Sequence, residues 1–311
     1  MILCIGEILA DLIGEKENDI MKYSRFPGGA PLNVAAGIKR LGGAVGFIGS
    51  VGDDIIGNYL ISFCNTINFD YLDINLDKEH NTTLAFVDND EFGERSFAFN
   101  RFNTADYFID ESRLECIKDI DIVHIGSLML REDKGFELAL KIIEITRKYN
   151  KLVSFDVNYR DDIYDSKELA LYRYNEIVKR ADIVKFSLEE VEYFTNCNNF
   201  IEGINKLVHP EQMVFISLGS KGSYYQYNGE SGIVPTHLVK AVDTTGAGDA
   251  FYACILTYLD NMEEYNRDYI LNAMKHANIC GGLACSKKGA ISALPTKVEL
   301  EERFKCLYLS E

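Results

Sequence analysis

The stretch DTTGAGDAF, residues 243–251, places two glycines and a carboxylate where a loop turns into a helix. Thr244 and Thr245 are good N-cap types, and Ala250, Phe251, Ala253, Ile255, Leu256 and Leu259 continue as the apolar face of a helix. Gly246 and Gly248 allow close backbone approach to a ligand. The first-turn N–H groups, with the positive end of the helix dipole, then make an anion site. Asp249 is the odd member, because a carboxylate beside an anion site repels phosphate unless it takes a proton from an attacking hydroxyl. A base next to a charge-stabilising cradle suits phosphoryl transfer. Taken alone, GxGD is equally an ordinary Gly-rich turn.

A second junction of this kind, PGGAPLNVAAGIKRLGG, occupies residues 27–43. Pro31 is expected at the first helical position, the helix runs through Val34, Ile38 and Leu41, and Gly42 or Gly43 ends it. Gly28 and Gly29 admit a ligand, and the Asn33 amide both donates and accepts, which suits a sugar hydroxyl. In order and spacing the two junctions resemble the ribokinase (PfkB) family of carbohydrate kinases, most closely its fructokinases, whose first motif also reads GGAP and then Asn. The resemblance covers nearly the whole chain. It takes in GEILADL (6–12), FIGSVGDD (47–54), the run 83–101, HIGSLML (124–130), SFDVNYR (154–160), DIVKFSLEEVEYF (182–194), SLGSKGSYY (217–225) and KKGAISALP (287–295).

At 311 residues the chain is long enough for a large α/β core, and with 5 Pro and no low-complexity run it shows no linker. One kinase domain, 1–311, is expected. The net charge of −16 argues against a nucleic-acid or anionic-membrane surface. No window approaches the roughly 20 apolar residues of a membrane span, and the apolar start has no basic leader and is interrupted by Glu7 and Asp11. The eight cysteines are scattered without zinc spacing, so reduced thiols and a cytoplasmic location are expected. His80, His124, His209, His237 and His276 form no catalytic pattern.

Short β-rich runs at 2–8, 45–48, 122–125, 152–155, 183–186 and 213–218 alternate with amphipathic helices such as 134–149 and 167–180. That alternation predicts a mostly parallel sheet covered on both faces. Ligands then bind beyond the carboxyl ends of the strands, where Asp156, Asn158, Arg160, Ser187 and Gly219 converge. Residues 13–26 and 82–107 break the alternation and read as a small antiparallel flap. The resemblance implies a ribokinase-like three-layer α/β/α fold in which this flap is a β-lid over the sugar that pairs across a homodimer.

No Walker A sequence occurs, so phosphates need another device. Read with the family, Asp249 is the general base, and the N–H groups of Gly246, Ala247 and Gly248 stabilise the transferred phosphoryl group. Arg160 resembles the family arginine at the incoming phosphoryl. Asp11 resembles the carboxylate that accepts sugar hydroxyls; Gly28, Gly29, Asn33 and Arg101 complete the implied sugar set, with a lid salt bridge as the alternative for Arg101. Ser187, Ser217, Gly219, Gly222, Gly248 and Asn278 match nucleotide positions. Glu190 matches a residue that holds Mg²⁺ through water. Asp243, Thr245, Ala284, Lys287 and Gly289 match a monovalent-cation loop, for K⁺. The implied reaction is ATP-dependent conversion of fructose to fructose 6-phosphate. The alternatives are a 2-keto-3-deoxygluconate or other sugar kinase of the family, and a non-catalytic sugar-sensing relative.

Overall fold

The computed structural model describes residues 1–18, 20–89, 95–264 and 266–309. In chain order its strands are β1 (Ile2–Ile5), β2 (Leu9–Glu17), β3 (Ile20–Gly28), β4 (Val45–Gly52), β5 (Tyr71–Asp77), β6 (Leu84–Asn89), β7 (Arg95–Asn100), β8 (Ile122–Ile125), β9 (Leu152–Asp156), β10 (Ile183–Ser187), β11 (Met213–Ser217), β12 (Ser223–Tyr227) and β13 (Glu230–Val234). The helices are α1 (Ala30–Arg40), α2 (Ile55–Ile67), α3 (Asp133–Lys148), α4 (Lys167–Val178), α5 (Leu188–Thr195), α6 (Phe200–Leu207), α7 (Ala247–Asp260), α8 (Arg267–Cys285) and α9 (Lys297–Tyr308).

A nine-stranded sheet runs β13-β12-β11-β10-β9-β8-β1-β4-β5. From β11 to β5 neighbouring strands are parallel, while β12 and β13 add an antiparallel edge. The period-2 alternation of β1 divides its side chains between two cores. Ile2 and Cys4 join Ile38 of α1, Leu60 of α2, Leu256 of α7 and Met274 of α8. Leu3 and Ile5 join Ile142 of α3, Ile177 of α4 and Val191 of α5. Both faces are therefore covered, in the three-layer α/β/α arrangement expected from the alternation of runs.

The first strand is shorter than the apolar run 2–8 predicts. It stops at Ile5 because Gly6 packs against the chain leaving β8, where a Cβ would lie 2.9 Å from the Gly126 Cα and the Pro31 Cγ. Beyond that joint the chain enters β2 of a separate four-stranded sheet, ordered β3-β2-β6-β7. This lid starts at Leu9 rather than at residue 13, and residues 90–94 of the expected lid segment lie outside the described residues. Its outer pairs are antiparallel, but β2 and β6 run parallel, with Ala10 beside Leu84 and Ile13 beside Val87. The expectation of a purely antiparallel flap fails at this central pair, because β2 follows β1 and β6 follows β5. No turn joins β2 to β6, so neither is obliged to run back along the other. Among the described residues no helix is long and apolar enough to cross a membrane.

Candidate active site

Two helices set the geometry. Gly37 of α1 faces Ala253 of α7 so closely that a Cβ on Gly37 would lie 2.6 Å from the Ala253 Cβ. One turn towards the N-terminus of each helix, at i−4, stand Asn33 and Asp249. There the Asn33 amide nitrogen donates to Asp249 Oδ2 at 2.8 Å. Both side chains line a cavity of about 880 Å³ at the carboxyl ends of the strands, and Asn33 Oδ1 has no partner among the described residues.

The helix starts differ in detail from the sequence reading. The residue before α7 is Gly246, in the left-handed region at φ 75°, so neither Thr244 nor Thr245 is the cap. The Thr245 N–H donates instead to Asp243 Oδ1 at 2.9 Å, and Asp243 Oδ2 accepts from the Gly289 N–H at 2.9 Å. Asp243 thus clasps two loops and leaves the bend to a glycine. In α1, Ala30 precedes Pro31, and Gly29 at φ 112° is the cap. Gly246, Ala247 and Gly248 all line the cavity. The Ala247 N–H donates to the Thr244 carbonyl at 3.2 Å.

Burial raises Asp249 above the ordinary carboxylate range, against the pull of the Asn33 hydrogen bond and the positive charges of Lys185 and Arg160. A shift in this direction brings a carboxyl closer to the proton affinity that general-base work near neutrality requires. Lys185, which sequence reasoning missed, is buried and lines the cavity from β10. Its Nζ donates to both Asp156 oxygens at 2.9 Å and would sit 3.1 Å from a Cβ on Gly248. Burial alone would lower Lys185, but Asp156, Glu190 and Asp249 outweigh it and hold the ammonium protonated. The available signal was a lysine within the apolar run IVKFS, since a buried charge requires partners.

Arg160 is exposed on the cavity wall and donates to the Tyr159 carbonyl at 3.1 Å. Ser187 and Glu190 form a capping box: Ser187 Oγ accepts from the Glu190 N–H at 3.2 Å, and Glu190 Oε2 accepts from the Ser187 N–H at 2.6 Å. Glu190 Oε1 accepts from the Tyr159 N–H at 2.8 Å. Ser217, Gly219 and Gly222 line the neighbouring wall. A side chain at Gly222 would meet the Val234 carbonyl at 2.1 Å. Asn278 lines the same wall and donates to the Val234 carbonyl at 3.0 Å, tying α8 to the end of β13.

Asp11 and Gly29 line the opposite end. Gly28 stands behind that wall, where a Cβ would lie 2.3 Å from Asp11 Oδ2. Arg101 is not among the lining residues. Its buried guanidinium pairs with Asp106, donates to the Leu128 carbonyl and lies 4.6 Å above the Tyr107 ring. Asp106 also accepts from Thr83 and Thr104 at 2.6 and 2.7 Å, so this cluster anchors the base of the lid.

The residues fit the expected ions unevenly. Glu190 presents a carboxylate to the cavity, but each oxygen already accepts an N–H, which suits a water-mediated contact to Mg²⁺ better than inner-sphere ligation. Backbone bonds from Val242 and Asp243 to the Cys285 carbonyl bring the 243–245 and 284–289 loops together. Their oxygens are the hard donors a monovalent ion takes. The Lys287 ammonium pairs with Glu299 at 2.7 Å on the surface, with both side chains more than 40% exposed (44% and 42%).

A family description reading pfkB family carbohydrate kinase matches residues 1–297. The chain is 36% identical over 312 residues to probable fructokinase-2 of Arabidopsis thaliana, covering 96% of this chain and 94% of that protein. Fructokinase from Xylella fastidiosa with bound ATP superposes with a TM-score of 0.88 at 27% identity, over 98% of each chain. Fructokinase from Vibrio cholerae O395, solved in a form with fructose, ADP and calcium ion, gives 0.86 at 33% identity over 97% of each chain. A double mutant of the latter was solved in a form with fructose, ADP and potassium ion. With a cavity at the strand ends, two glycine-led helix starts meeting at Asn33 and Asp249, and likeness over almost its full length, this chain belongs to the pfkB family of carbohydrate kinases.

Proposed function

We propose that this carbohydrate kinase transfers the γ-phosphoryl group of ATP to the 6-hydroxyl of fructose, and that Asp249 is the general base. The pairing of Asn33 with Asp249 at 2.8 Å carries this reading, because it joins a sugar-type amide to a buried base at two adjoining helix starts. Asp249 removes the hydroxyl proton as the oxygen attacks phosphorus; the bond to the bridging oxygen breaks and ADP leaves. The first-turn N–H groups at Gly246 and Gly248 stabilise the charge on the transferred group, joined by Ala247 when it releases the Thr244 carbonyl. Arg160 supports the same charge from the cavity wall.

Sugar contacts fall to Asp11, Gly29 and Asn33, with Gly28 making room for Asp11. Ser187, Ser217, Gly219, Gly222 and Asn278 form the nucleotide side. Glu190 would hold Mg²⁺ through water, and that ion supplies neutralising charge at the phosphates when bound. Asp243, Thr245, Ala284, Lys287 and Gly289 would hold K⁺ through oxygen atoms beside the anion site. Arg101, engaged by Asp106, offers no clamp for an acid sugar, which favours fructose over 2-keto-3-deoxygluconate. The exposed Ile20, Met21 and Tyr23 on β3 support a homodimer formed through the lid. The whole chain is read as one kinase domain with the lid inserted, and its eight free cysteines fit the cytosol.

The test is a screen of purified protein with ATP against fructose, ribose, 2-keto-3-deoxygluconate, glucose and tagatose, with NMR of the product. Fructose should be the best acceptor, with phosphate on C6. Phosphate on C1, or a clear preference for 2-keto-3-deoxygluconate, would overturn the assignment. Absence of sugar-dependent ADP formation would favour the sensing relative.

A further inference from the structure

The least explained polar group in the molecule is Glu7. It is fully buried, and neither carboxyl oxygen has a hydrogen-bond partner among the described residues. It lies in the joint between β1 and β2, where an inner strand of the large sheet hands over to an inner strand of the lid. Its carboxyl runs against the chain beyond β8, since a Cβ on Gly126 would lie 2.3 Å from Glu7 Oε2. Its backbone carbonyl backs the sugar-end glycine, since a Cβ on Gly29 would lie 2.4 Å from the Glu7 oxygen.

The second strand through which the lid returns to the core, β7, ends beside Arg101. Arg101, Asp106 and Asp249 are the charged groups whose fields act on Glu7. Tyr164, half-buried with a buried hydroxyl that has no hydrogen-bond partner among the described residues, feels Glu7 as well as Arg101. The chain at Gly126 and the start of α1, at Ala30, Pro31 and Asn33, bring no further charge. Both lid attachments therefore meet at one buried carboxyl and one buried guanidinium, and the guanidinium is engaged by Asp106 and the Leu128 carbonyl.

We propose that Glu7 is a positioning residue that ties the lid to the sugar end of the cavity. Neutral, its carboxyl fills the joint between β1 and β2; ionised, it competes with Asp106 for Arg101 and loosens the base of the lid. A partnerless buried carboxyl is tolerated only without its charge. Burial, partly offset by Arg101, moves Glu7 from 4.5 to about 7, so the change of state falls near neutrality. The inference rests on Asp11, Gly29 and Asn33 forming the sugar end.

The experiment compares the full chain with Glu7→Gln, which keeps the shape and removes the titration. With ATP saturating, the wild-type sugar KM should rise as pH passes about 7, approaching at most about tenfold per pH unit for one proton. The variant should hold the low-pH KM throughout, with kcat keeping the same acid limb in both proteins. Parallel KM profiles would overturn the proposal, as would a variant that loses kcat alone. Fructose is used if it is the best acceptor and otherwise the best sugar found, so a wrong sugar assignment is told apart from a wrong role for Glu7.

Thermal unfolding supplies a readout independent of turnover. The folded-state value lies above the unfolded one, so the contribution of Glu7 to stability is complete below about 4.5 and is lost as pH rises through about 7. The melting temperature of Glu7→Gln should therefore gain on that of the wild type across this window. A constant difference would sink the proposal.

Discussion

The two glycine-led helix starts look alike in sequence and differ in what their glycines do. At the first, a Cβ on Gly28 or Gly29 would strike the protein itself, at 2.3 Å from Asp11 and 2.4 Å from the Glu7 carbonyl. At the second, a Cβ on Gly248 would meet the end of a flexible side chain, Lys185 Nζ, at 3.1 Å, beside open cavity. The first junction is glycine because the chain packs on itself; at the second, Gly246 serves the left-handed bend, with a Cβ there 3.0 Å from the Ala290 Cα, and only Gly248 leaves the space beside it to the cavity. A glycine pattern therefore marks a tight approach without saying to what.

The sharpest way to break this contrast is at the base. Asp249→Asn should lower turnover by about 10² to 10⁴ while ATP binding and the melting temperature stay close to wild type. Turnover within a few-fold of wild type in a coupled ADP assay would remove Asp249 from that role.

Lys185→Met, made with Asp156→Asn so that no buried carboxylate is stranded, should cost roughly tenfold at pH 7. Compared with Asp156→Asn alone, so that the loss of the carboxylate that repels Asp249 is common to both chains, it should also move the acid limb of kcat/KM to higher pH. The sign follows from burial and Lys185, which act on Asp249 in opposite directions: the base works ionised, so activity falls as pH falls through its pKa, and loss of the ammonium raises that pKa. An unmoved limb would mean that Lys185 serves the fold alone.

The helix crossing gives a smaller effect. Gly37→Ala overpacks a contact with 2.6 Å of room, which costs about 1–3 kcal/mol and should part Asn33 from Asp249. Stability and kcat should both fall, and Ala253→Gly in the same chain should restore them. Failure of that rescue would separate the crossing from the site.

Potassium should raise kcat several-fold over sodium or tetramethylammonium at fixed ionic strength, through the loops clasped by Asp243. Equal rates would mean that those loops need no ion. Lys287→Ala should matter least, because an ion pair this exposed contributes about 0–1 kcal/mol. A loss of cation response in that variant would assign its ammonium a part in the site.

Much of this was legible beforehand, and the exceptions have physical causes. Buried runs such as IVHI in β8 and LVSFD in β9 announce central strands because both faces are covered. The edge strand β5, YLDINLD, mixes acids with half-buried apolar residues and gives no such signal. Asn33 and Asp249 stood out by residue type, but their contact depends on Gly37 and Ala253, a pairing of distant turns that local patterns do not encode. Arg101 looked like a ligand contact or a lid salt bridge, and only the folded chain shows Asp106 beside it. The start of α7 slipped from the threonines to Gly246 because the carboxylate of Asp243 satisfies the Thr245 N–H before the helix begins.

The parallel pairing of β2 with β6 bears on how the enzyme is made. Between β2 and β6 the chain lays down α1, β4, α2 and β5, so the central pair of the lid closes across a long stretch of the large sheet rather than within a hairpin. That pair is thus brought into register by the strands of the large sheet and not by a turn of its own. Lid and sheet would then assemble together rather than one after the other.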